Sequence, residues 1–373
     1  MGRRIYLDVA ASAPVYKSAQ KAFLRTVPLY GNPSAFHEEG QKAKAVLEKS
    51  RETIARILVT KPEFITFTSG ATEANALAIT GVVKGKEKPH VLYQAGAHSS
   101  IVKTIEALGV ESDEIPIKDG DIDLKALREN LKENTVLVCI EAVSSETGMK
   151  VSAREVKEVL KGTKALLHVD ATQLPFSESP ERSRLAADLI TLDAQKIGGV
   201  RGAGLLMHAV PISPLLYGGG QERGLRSGTE NVALIASFAE ALLECEKRRE
   251  GFVARAAKDK EHLIEELTKI PNTYVNEGKK SAPHILNISF VGRDTDYLTA
   301  LLSEKGYAVS TKSACETDSA EGSRAVYALT KSKERAESTL RVSWGPETKS
   351  ENIRSFARVC RDAVRFLDEK SPK

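Results

Sequence analysis

The chain has 373 residues, of which 41% are hydrophobic and 28% are charged, and its 54 basic and 50 acidic residues give a formal net charge of +4. This balance provides no concentrated field for nucleic acid, and no stretch approaches the roughly 18 apolar residues of a membrane span. We therefore expect neither nucleic acid nor a membrane as a direct partner. The N-terminal apolar run is too short for a signal peptide, so the predicted location is the cytoplasm.

Apolar runs of strand length alternate with helical patterns through the first two thirds of the chain. Strands are predicted at 64–67, 91–94, 135–140, 165–170, 188–193 and 203–208. Helices are predicted between them at 37–58, 71–83, 99–109 and 153–162. Strands rich in Val, Ile and Leu that are separated by helices predict an α/β fold, with a mainly parallel sheet covered by helices on both faces. Ligands of such sheets bind at the carboxyl ends of the strands.

The pattern changes near residue 245. A charged helix over 244–270 is followed by short strands at 285–290 and 339–344, a helix at 296–306 between them, and a final helix at 350–367. This region predicts a smaller α+β domain. We therefore expect a large domain over 16–245 and a small domain formed by 1–15 and 246–373.

Two strand ends carry residues that suit a charged ligand. Small residues around Gly70 and Thr72 lie between a strand and a helix, where free backbone N–H groups attract phosphate, although an ordinary helix cap gives the same pattern. Asp170 ends a buried strand, and Gln173 follows it. A buried carboxylate needs a cationic partner, for which a protonated pyridine nitrogen is suitable, while the alternative is an N-cap aspartate.

Lys196 follows the next strand and precedes a glycine-rich turn. A lysine shielded from water at a strand end can attack a carbonyl and form a Schiff base, although a lone Lys-Gly turn is usually only a turn. A strand-end aspartate followed one strand later by a strand-end lysine is the arrangement expected for pyridoxal phosphate. A second glycine-rich and cationic loop over 217–232 offers another anion site.

The four cysteines form no disulfide framework and no CxxC pair. Cys139, Cys245 and Cys360 lie in strand-like or helical patterns, which favours buried thiols without a function. Cys315 lies in a polar stretch without regular periodicity, which indicates an exposed loop where a thiol is reactive. No metal site is expected.

Taken together, long motifs spread along the chain resemble the cysteine desulfurases of the NifS and IscS type, which are pyridoxal phosphate enzymes of fold type I in the class V aminotransferase group. The motifs are YLDVAASAPV, GNPSAFHEEG, TSGATEAN, HVDATQ, GGGQERGLRSGT, PHILNISF, KSACETDS and STLRVSWG. The resemblance implies a fold type I large domain, a smaller α+β domain and a mobile cysteine loop over about residues 311–335.

The resemblance also implies individual roles. Lys196 corresponds to the lysine that binds the cofactor and later moves the Cα proton, and Cys315 corresponds to the nucleophile. Arg341 corresponds to the arginine that binds the substrate carboxylate, in a bidentate role that lysine fills poorly. The remaining implied contacts are Asp170 at the ring nitrogen, Gln173 at the ring hydroxyl, His98 stacked on the ring, Ala71 and Thr72 at the phosphate, Thr229 at the phosphate of a neighbouring subunit, and Asn32 and Ser145 at the substrate.

The chain departs from the family pattern before its lysine. The family usually has Ser-x-His there, with both side chains donating to the cofactor phosphate, whereas this chain has Asp193-Ala194-Gln195. Gln195 can still donate, but Asp193 would place a carboxylate beside a phosphate. We therefore expect a weakened or rearranged phosphate site, with Arg201 or Arg223 as compensating cations. Ser145 also replaces the usual asparagine, and Lys312 and Glu316 flank Cys315.

The implied activity converts L-cysteine to L-alanine, with sulfur passing as a persulfide on Cys315 to an acceptor for iron–sulfur clusters or thiolated tRNA. The implied assembly is a homodimer with active sites at the interface. Two alternatives stay open. One is a divergent member that binds pyridoxal phosphate weakly and acts as a dimeric binding partner, and the other is a lyase acting on selenocysteine or another amino acid.

Overall fold

The computed structural model describes residues 4–311 and 322–370. Strands in these residues are β1 (Ile5–Tyr6), β2 (Ile65–Thr68), β3 (His90–Gln94), β4 (Glu111–Ile115), β5 (Ile117–Lys118), β6 (Asp121–Ile122), β7 (Thr135–Glu141), β8 (Leu166–Asp170), β9 (Leu189–Asp193), β10 (Gly204–His208), β11 (Thr273–Val275), β12 (Ile285–Phe290), β13 (Tyr307–Ala308) and β14 (Thr339–Ser343).

Helices in the same residues are α1 (Lys17–Thr26), α2 (Glu38–Leu58), α3 (Ala71–Val83), α4 (Ser99–Leu108), α5 (Leu124–Asn130), α6 (Ala153–Val159), α7 (Arg182–Leu185), α8 (Val232–Leu267), α9 (Thr295–Glu304), α10 (Arg324–Thr330), α11 (Lys333–Glu337) and α12 (Ser350–Lys370). Single turns of 3-10 helix occur at Pro62–Phe64, Ala194–Lys196 and Glu222–Gly224.

A seven-stranded sheet forms the centre of the fold, in the order β2-β10-β9-β8-β7-β3-β4. Strand β10 is antiparallel to both of its neighbours, and the other strands are parallel to one another. The six strands predicted for this part of the chain are all present, within a residue or two of their predicted ends. The predicted α/β fold with a mainly parallel sheet is therefore confirmed.

Both faces of this sheet are buried. Alternate residues of one strand belong to different clusters of core residues, as Val91 and Leu92 of β3 do. Helices α3 and α4 contribute the apolar residues that cover the face on which Val91 lies. Because each fully buried Val or Leu side chain contributes about 1.5–3 kcal/mol, this double burial holds the strand ends in a fixed frame.

The C-terminal part of the chain forms a separate three-stranded antiparallel sheet in the order β11-β12-β14. Near the N-terminus, β1 pairs in parallel with β13. Most of the helix predicted over 244–270 is part of α8, which begins at Val232, passes without interruption through the predicted boundary at residue 245 and ends at Leu267. The division into 16–245 and a second domain stays a prediction.

The predicted cysteine loop over about 311–335 differs from the structure at its end. Residues 324–330 and 333–337 are helical, as α10 and α11, because Ser323 and Ser332 cap the two helices with their side chains. Cys315, Lys312 and Glu316 lie outside the described residues. Within 4–311 and 322–370, no helix is long and apolar enough to cross a membrane.

The register of the sheet places several strand ends side by side. Gly204, at the start of β10, is opposite both Thr68 at the end of β2 and Asp193 at the end of β9. Asp170, at the end of β8, pairs with Thr191 on β9. The loop into α3, the two aspartates and the following Lys196 therefore meet at one edge of the sheet, as the carboxyl-end rule predicts.

Candidate active site

Asp170 is buried at the end of β8, with a side chain that accepts two hydrogen bonds. Asn75 Nδ2 on α3 donates to Asp170 Oδ2 at 2.8 Å, and the Thr172 N–H donates to Oδ1 at 3.0 Å. A buried carboxylate held by donors on both oxygens has a fixed orientation. Asp170 is thus positioned to face a cationic group of a ligand.

His98 connects to Asp170 through Asn75 and Ser100. The Nδ2 of Asn75 also donates to Ser100 Oγ at 2.9 Å, and Ser100 Oγ lies 2.8 Å from His98 Nδ1. The Ser100 N–H donates to the same Nδ1 at 3.1 Å, so His98 caps α4 and carries its neutral-state proton on Nε2.

The charge state of His98 follows from its surroundings. Burial lowers the pKa of the His98 imidazole, Asp170 opposes this effect, Lys196 lowers the pKa further and Asp193 opposes it. The imidazole is consequently neutral near pH 7. The pKa of His98 is thus coupled to the charges of Asp170, Lys196 and Asp193.

Lys196 lies in the turn Ala194–Lys196 that follows β9. Its Nζ donates to the backbone carbonyls of Ala10 at 3.0 Å and Ala11 at 2.9 Å. Gln173 Nε2 donates to the same Ala10 carbonyl at 2.8 Å. The segment after β1 therefore aligns the lysine and the glutamine.

The N-terminus of α3 is the predicted phosphate site, and in this structure a side chain of the protein itself is bound there. Asp193 Oδ2 accepts the N–H of Ala71 at 2.8 Å, and Oδ1 accepts the N–H of Gln195 at 2.9 Å. Burial raises the pKa of Asp193, while the bonds from Ala71 and Gln195 and the charge of Lys196 act in the opposite direction. A Cβ at Gly70 would lie 3.2 Å from Asp193 Oδ2, so glycine gives the carboxylate its room.

The first turn of α3 also carries a charged pair. Glu73 accepts from the Ser69 N–H and from Arg226 Nε, both at 2.8 Å. Burial raises the pKa of Glu73, but its bonds with Arg226 and Ser69 outweigh burial and leave that pKa below its ordinary value. Thr72 and Thr229 are exposed on this chain. The pair ties α3 to the glycine-rich loop that contains Thr229.

A buried ion pair anchors the same glycine-rich loop. Both oxygens of Glu222 accept from the Arg51 guanidinium at 2.8 Å, and Glu222 Oε2 also accepts the Phe67 N–H at 2.8 Å. Glu222 and Arg223 have φ values of +48° and +57°, which is a costly conformation for residues other than glycine. The ion pair between Arg51 and Glu222 holds the loop in this conformation against β2.

The expected compensating cations have other partners. Arg201 Nε donates to Ser12 Oγ at 3.1 Å. Arg223 is half-exposed and lies 4.0 Å from Glu48. The contacts of Asp193 are instead the backbone N–H groups of Ala71 and Gln195 and the side chain of Gln195, with Lys196 as the cation that lowers its pKa.

Arg341 lies on β14, with its side chain almost fully buried. Its Nη2 donates to Asp8 Oδ1 at 2.8 Å and its Nη1 donates to the Ser145 carbonyl at 2.9 Å. Its buried Nε has no hydrogen-bond partner in the described residues. Asn32 is exposed, and its side chain accepts a hydrogen bond from the Ser34 N–H. Among the described residues, no hydrogen bond joins Asn32 to Arg341.

Cys139, Cys245 and Cys360 are buried and free, as predicted. Burial raises the pKa of Cys139, and it raises the pKa of Cys245 and of Cys360 to about 12 in each case. None of these three thiols therefore provides a thiolate near pH 7. Within the described ranges 4–311 and 322–370, no group of three or more His, Cys, Asp or Glu residues is arranged to hold a metal ion.

Sequence reasoning missed two residues of this site. Asn75 is the last residue of the TSGATEAN motif, and an amide directly before the mainly apolar part of α3 was the available signal. Asp8, the partner of Arg341, had no local signal because 333 residues separate the two.

Comparisons with known proteins agree with this geometry. The aminotransferase class-V family matches residues 5–356. The mitosomal cysteine desulfurase of Encephalitozoon cuniculi is 35% identical over 100% of this chain and 89% of its own length. Cysteine desulfurase IscS 1 of Archaeoglobus fulgidus is 31% identical, with 98% of each chain covered.

Solved structures show the same fold. A NifS-like protein superposes with a TM-score of 0.91 at 28% identity, covering 98% of this chain and 100% of its own. The family match extends over most of the chain, and the sequence relatives span nearly all of it. The chain belongs to the class-V aminotransferase family, in its group of NifS- and IscS-like proteins.

Proposed function

We propose that this protein is a pyridoxal phosphate-dependent cysteine desulfurase that converts L-cysteine to L-alanine and passes the sulfur on through Cys315. One observation carries the proposal: Asp170 and His98 are joined through Asn75 and Ser100 at the carboxyl end of β8, and Lys196 follows the end of the neighbouring strand β9. An amine, a buried carboxylate and a neutral imidazole are the groups that this chemistry needs. Relatives of nearly full length are named as cysteine desulfurases.

The residues present fit pyridoxal phosphate. Asp170 is a buried carboxylate with no cation among its hydrogen-bond donors, which suits a protonated ring nitrogen. The N-terminus of α3 already holds an anion, the Asp193 carboxylate, which indicates that its N–H groups can serve a phosphate. Lys196 and Gln173 both donate to the Ala10 carbonyl, which places the two side chains next to each other.

When bound, pyridoxal phosphate supplies an electron sink for the electron pair that remains when the Cα proton leaves. Lys196 Nζ, fixed by two carbonyls, is the group that moves this proton. His98 can donate a proton from Nε2, since Nδ1 is occupied by Ser100. Arg341 binds the substrate carboxylate by resemblance to the family, and Asp8 and the Ser145 carbonyl hold its guanidinium.

The sulfur step is assigned to Cys315 by resemblance to the family. Its thiolate attacks the substrate sulfur, the C–S bond of the substrate breaks, and the carbon fragment takes up a proton and leaves as alanine. The product on the protein is a persulfide, which an acceptor for iron–sulfur cluster or thiolated tRNA synthesis removes. The three described cysteines are buried with raised pKa values, which supports a different cysteine as the nucleophile.

A desulfurase assay on purified protein tests the proposal. With pyridoxal phosphate, L-cysteine and a thiol reductant, we expect alanine and sulfide, together with the visible absorption band of the lysine-bound cofactor. Lys196→Ala should lose the band, and Cys315→Ser should lower sulfide release at least about a thousandfold. Cys360→Ala, which alters a buried thiol of α12, is the matched control and should retain activity.

Undiminished sulfide release from Cys315→Ser would exclude the persulfide route. A protein that stays colourless with pyridoxal phosphate would favour a dimeric binding partner instead. Turnover of selenocysteine but not of L-cysteine would favour the lyase. The cytoplasmic location stays a prediction, since one relative is named as mitosomal.

We also propose that the protein acts as a homodimer. Large apolar side chains are exposed around Asn32, with Tyr30 at 85% and Phe36 at 98% exposure. An apolar surface of this kind favours a protein interface. Thr229, which the family places at a neighbouring subunit's phosphate, is exposed as well. Sedimentation equilibrium should give twice the mass of one chain, and a monomer at micromolar concentration would contradict the proposal.

A further inference from the structure

The Asp193 carboxylate lies at the start of α3, where the phosphate of the cofactor is expected to bind. It is 3% exposed, and its two oxygens accept the N–H groups of Ala71 and Gln195 at 2.8 and 2.9 Å. Two backbone amides that converge on one carboxylate are the arrangement by which proteins bind phosphate. The protein therefore supplies its own anion to this site.

A phosphate at the same helix N-terminus must share these donors with Asp193. The Ala71 N–H is the donor at the first position of α3, and Asp193 Oδ2 already accepts it. Two anions that close together repel each other strongly where water is largely excluded. A proton on the carboxylate removes the repulsion and turns its O–H into a donor to the phosphate.

We propose that Asp193 is an internal anion that competes for the phosphate position at the start of α3 and takes up one proton from solvent when the phosphate of pyridoxal phosphate binds. Cofactor loading then depends on pH through this side chain. The inference rests on the proposed cofactor, but it does not depend on which reaction the loaded protein catalyses.

The charged groups that face Asp193 leave the proton as the simplest compensation. Lys196 follows on the same turn, and its Nζ is bound to two carbonyls. His98, at the N-terminus of α4, interacts electrostatically with Asp193, but burial lowers the pKa of His98, so it adds no positive charge near pH 7. On α3, Glu73 is paired with Arg226.

Two further elements complete the surroundings of Asp193. The neighbouring residue on β10 is Gly204, which has no side chain to ionise, and Thr68 at the end of β2 is neutral. Burial raises the pKa of Asp193, which favours uptake of a proton. A second anion nearby would raise this pKa further.

The test compares binding of pyridoxal phosphate and of pyridoxal to the cofactor-free wild type and to Asp193→Asn, between about pH 6 and about pH 9. Both proteins share the pH dependence of the cofactor and of Lys196, so the ratio of their dissociation constants isolates Asp193. For pyridoxal phosphate, we expect wild type to bind more weakly, with a ratio that grows by up to about tenfold per pH unit. Pyridoxal lacks the phosphate, so wild type and Asp193→Asn should bind it with nearly equal dissociation constants at every pH.

Calorimetry in two buffers of different ionisation enthalpy measures the proton directly. Wild type should take up about one more proton per site than Asp193→Asn when pyridoxal phosphate binds. Asp193→Ser serves as a second variant should the asparagine protein fold poorly, and unfolding curves establish that each variant is native. These readouts are binding constants and proton counts, so they do not depend on turnover.

A ratio for pyridoxal phosphate that stays constant with pH would overturn the proposal, because it would mean that the carboxylate moves away without protonation. Equal affinity of wild type and both variants would overturn it as well. Failure of the desulfurase assay in a protein that shows the expected ratio would refute the proposed activity alone. Absence of binding in wild type and variants would refute the cofactor and the inference together.

Discussion

The two ends of the cofactor site are built from different groups. At the ring end, Asp170 is held by Asn75, which also bonds Ser100 beside His98, so side chains position one another in a buried network. At the phosphate end, the donors are the backbone N–H groups of Ala71 and Gln195, and the acceptor is Asp193.

This difference explains where the chain departs from its family. A backbone N–H at a helix N-terminus donates to a hydroxyl, a carboxylate or a phosphate with similar geometry, so an aspartate can replace the usual serine without disturbing the fold. The ring end has no such freedom, because replacing one side chain there leaves a buried group without its partner. The chain thus departs from its family at the phosphate end, where the charge of a group, more than its shape, determines whether the group binds.

The loop beside the phosphate end provides the largest expected effect. Glu222→Gln removes the charge that compensates buried Arg51, and we expect a loss of about 3–5 kcal/mol in the free energy of unfolding. Released from this anchor, the loop that carries Thr229 and Arg226 should bind pyridoxal phosphate more weakly. Urea denaturation and cofactor titration measure the two effects.

The matched control is Glu48→Gln, which removes the other carboxylate beside Arg51. Glu48 is 39% exposed, and its distance to Arg51 Nε is 3.3 Å, so we expect a loss below about 1 kcal/mol. Equal losses in the two variants would show that the phosphate end does not depend on a buried anchor, and the contrast between the two ends would weaken.

Much of the fold was predictable because the spacing of apolar residues along the sequence indicates which residues are buried. The six strands of the central sheet with apolar runs were predicted, whereas the edge strand β4 was not. Its sequence, ESDEI, is mostly polar, and only its last residue is buried. The prediction divided the helix α8 at residue 245 because the composition changes from apolar to charged there. The helical backbone nevertheless continues through this residue.

The site was predictable where a residue type has one chemical use. A lysine and an aspartate at neighbouring strand ends indicated a pyridine cofactor, and the structure places them at one edge of the sheet. The acceptor role of Asp193 toward Ala71 was not predictable, because 122 residues separate them and only the folded sheet aligns them. The sequence therefore indicated repulsion from a phosphate but not the amides that stabilise the carboxylate.

Acid should affect the two ends in opposite directions. Asp193 should let the phosphate end bind more tightly as the pH falls, whereas the ring end contains His168, two residues before Asp170 on the same face of β8. Burial lowers the pKa of His168 to about 4, with Asp170 opposing the shift. Its Nδ1 has no hydrogen-bond partner in the described residues, and its Nε2 lies 3.0 Å from Thr191 Oγ1.

The direction of the pH effect on stability depends on whether the folded or the unfolded chain binds the proton of His168. An unfolded histidine has a pKa near 6.5, so between about pH 6.5 and about pH 4 the unfolded chain holds a proton that folded His168 lacks. The contribution of His168 to stability is complete above this window and is lost as the pH falls through it. From pH 7 to pH 5 the loss should be about 2 kcal/mol.

Urea denaturation of wild type and His168→Leu at the two pH values measures this loss. The variant has no group to titrate, so its fall in stability should be smaller than that of wild type by about 2 kcal/mol. His284→Phe is the parallel variant, since the pKa of fully buried His284 is lowered to about 3 by burial and then by Lys260 and Lys150, outside the ring end. If His284→Phe flattens the pH dependence and His168→Leu does not, the ring end already admits water and protons, and its contrast with the phosphate end fails.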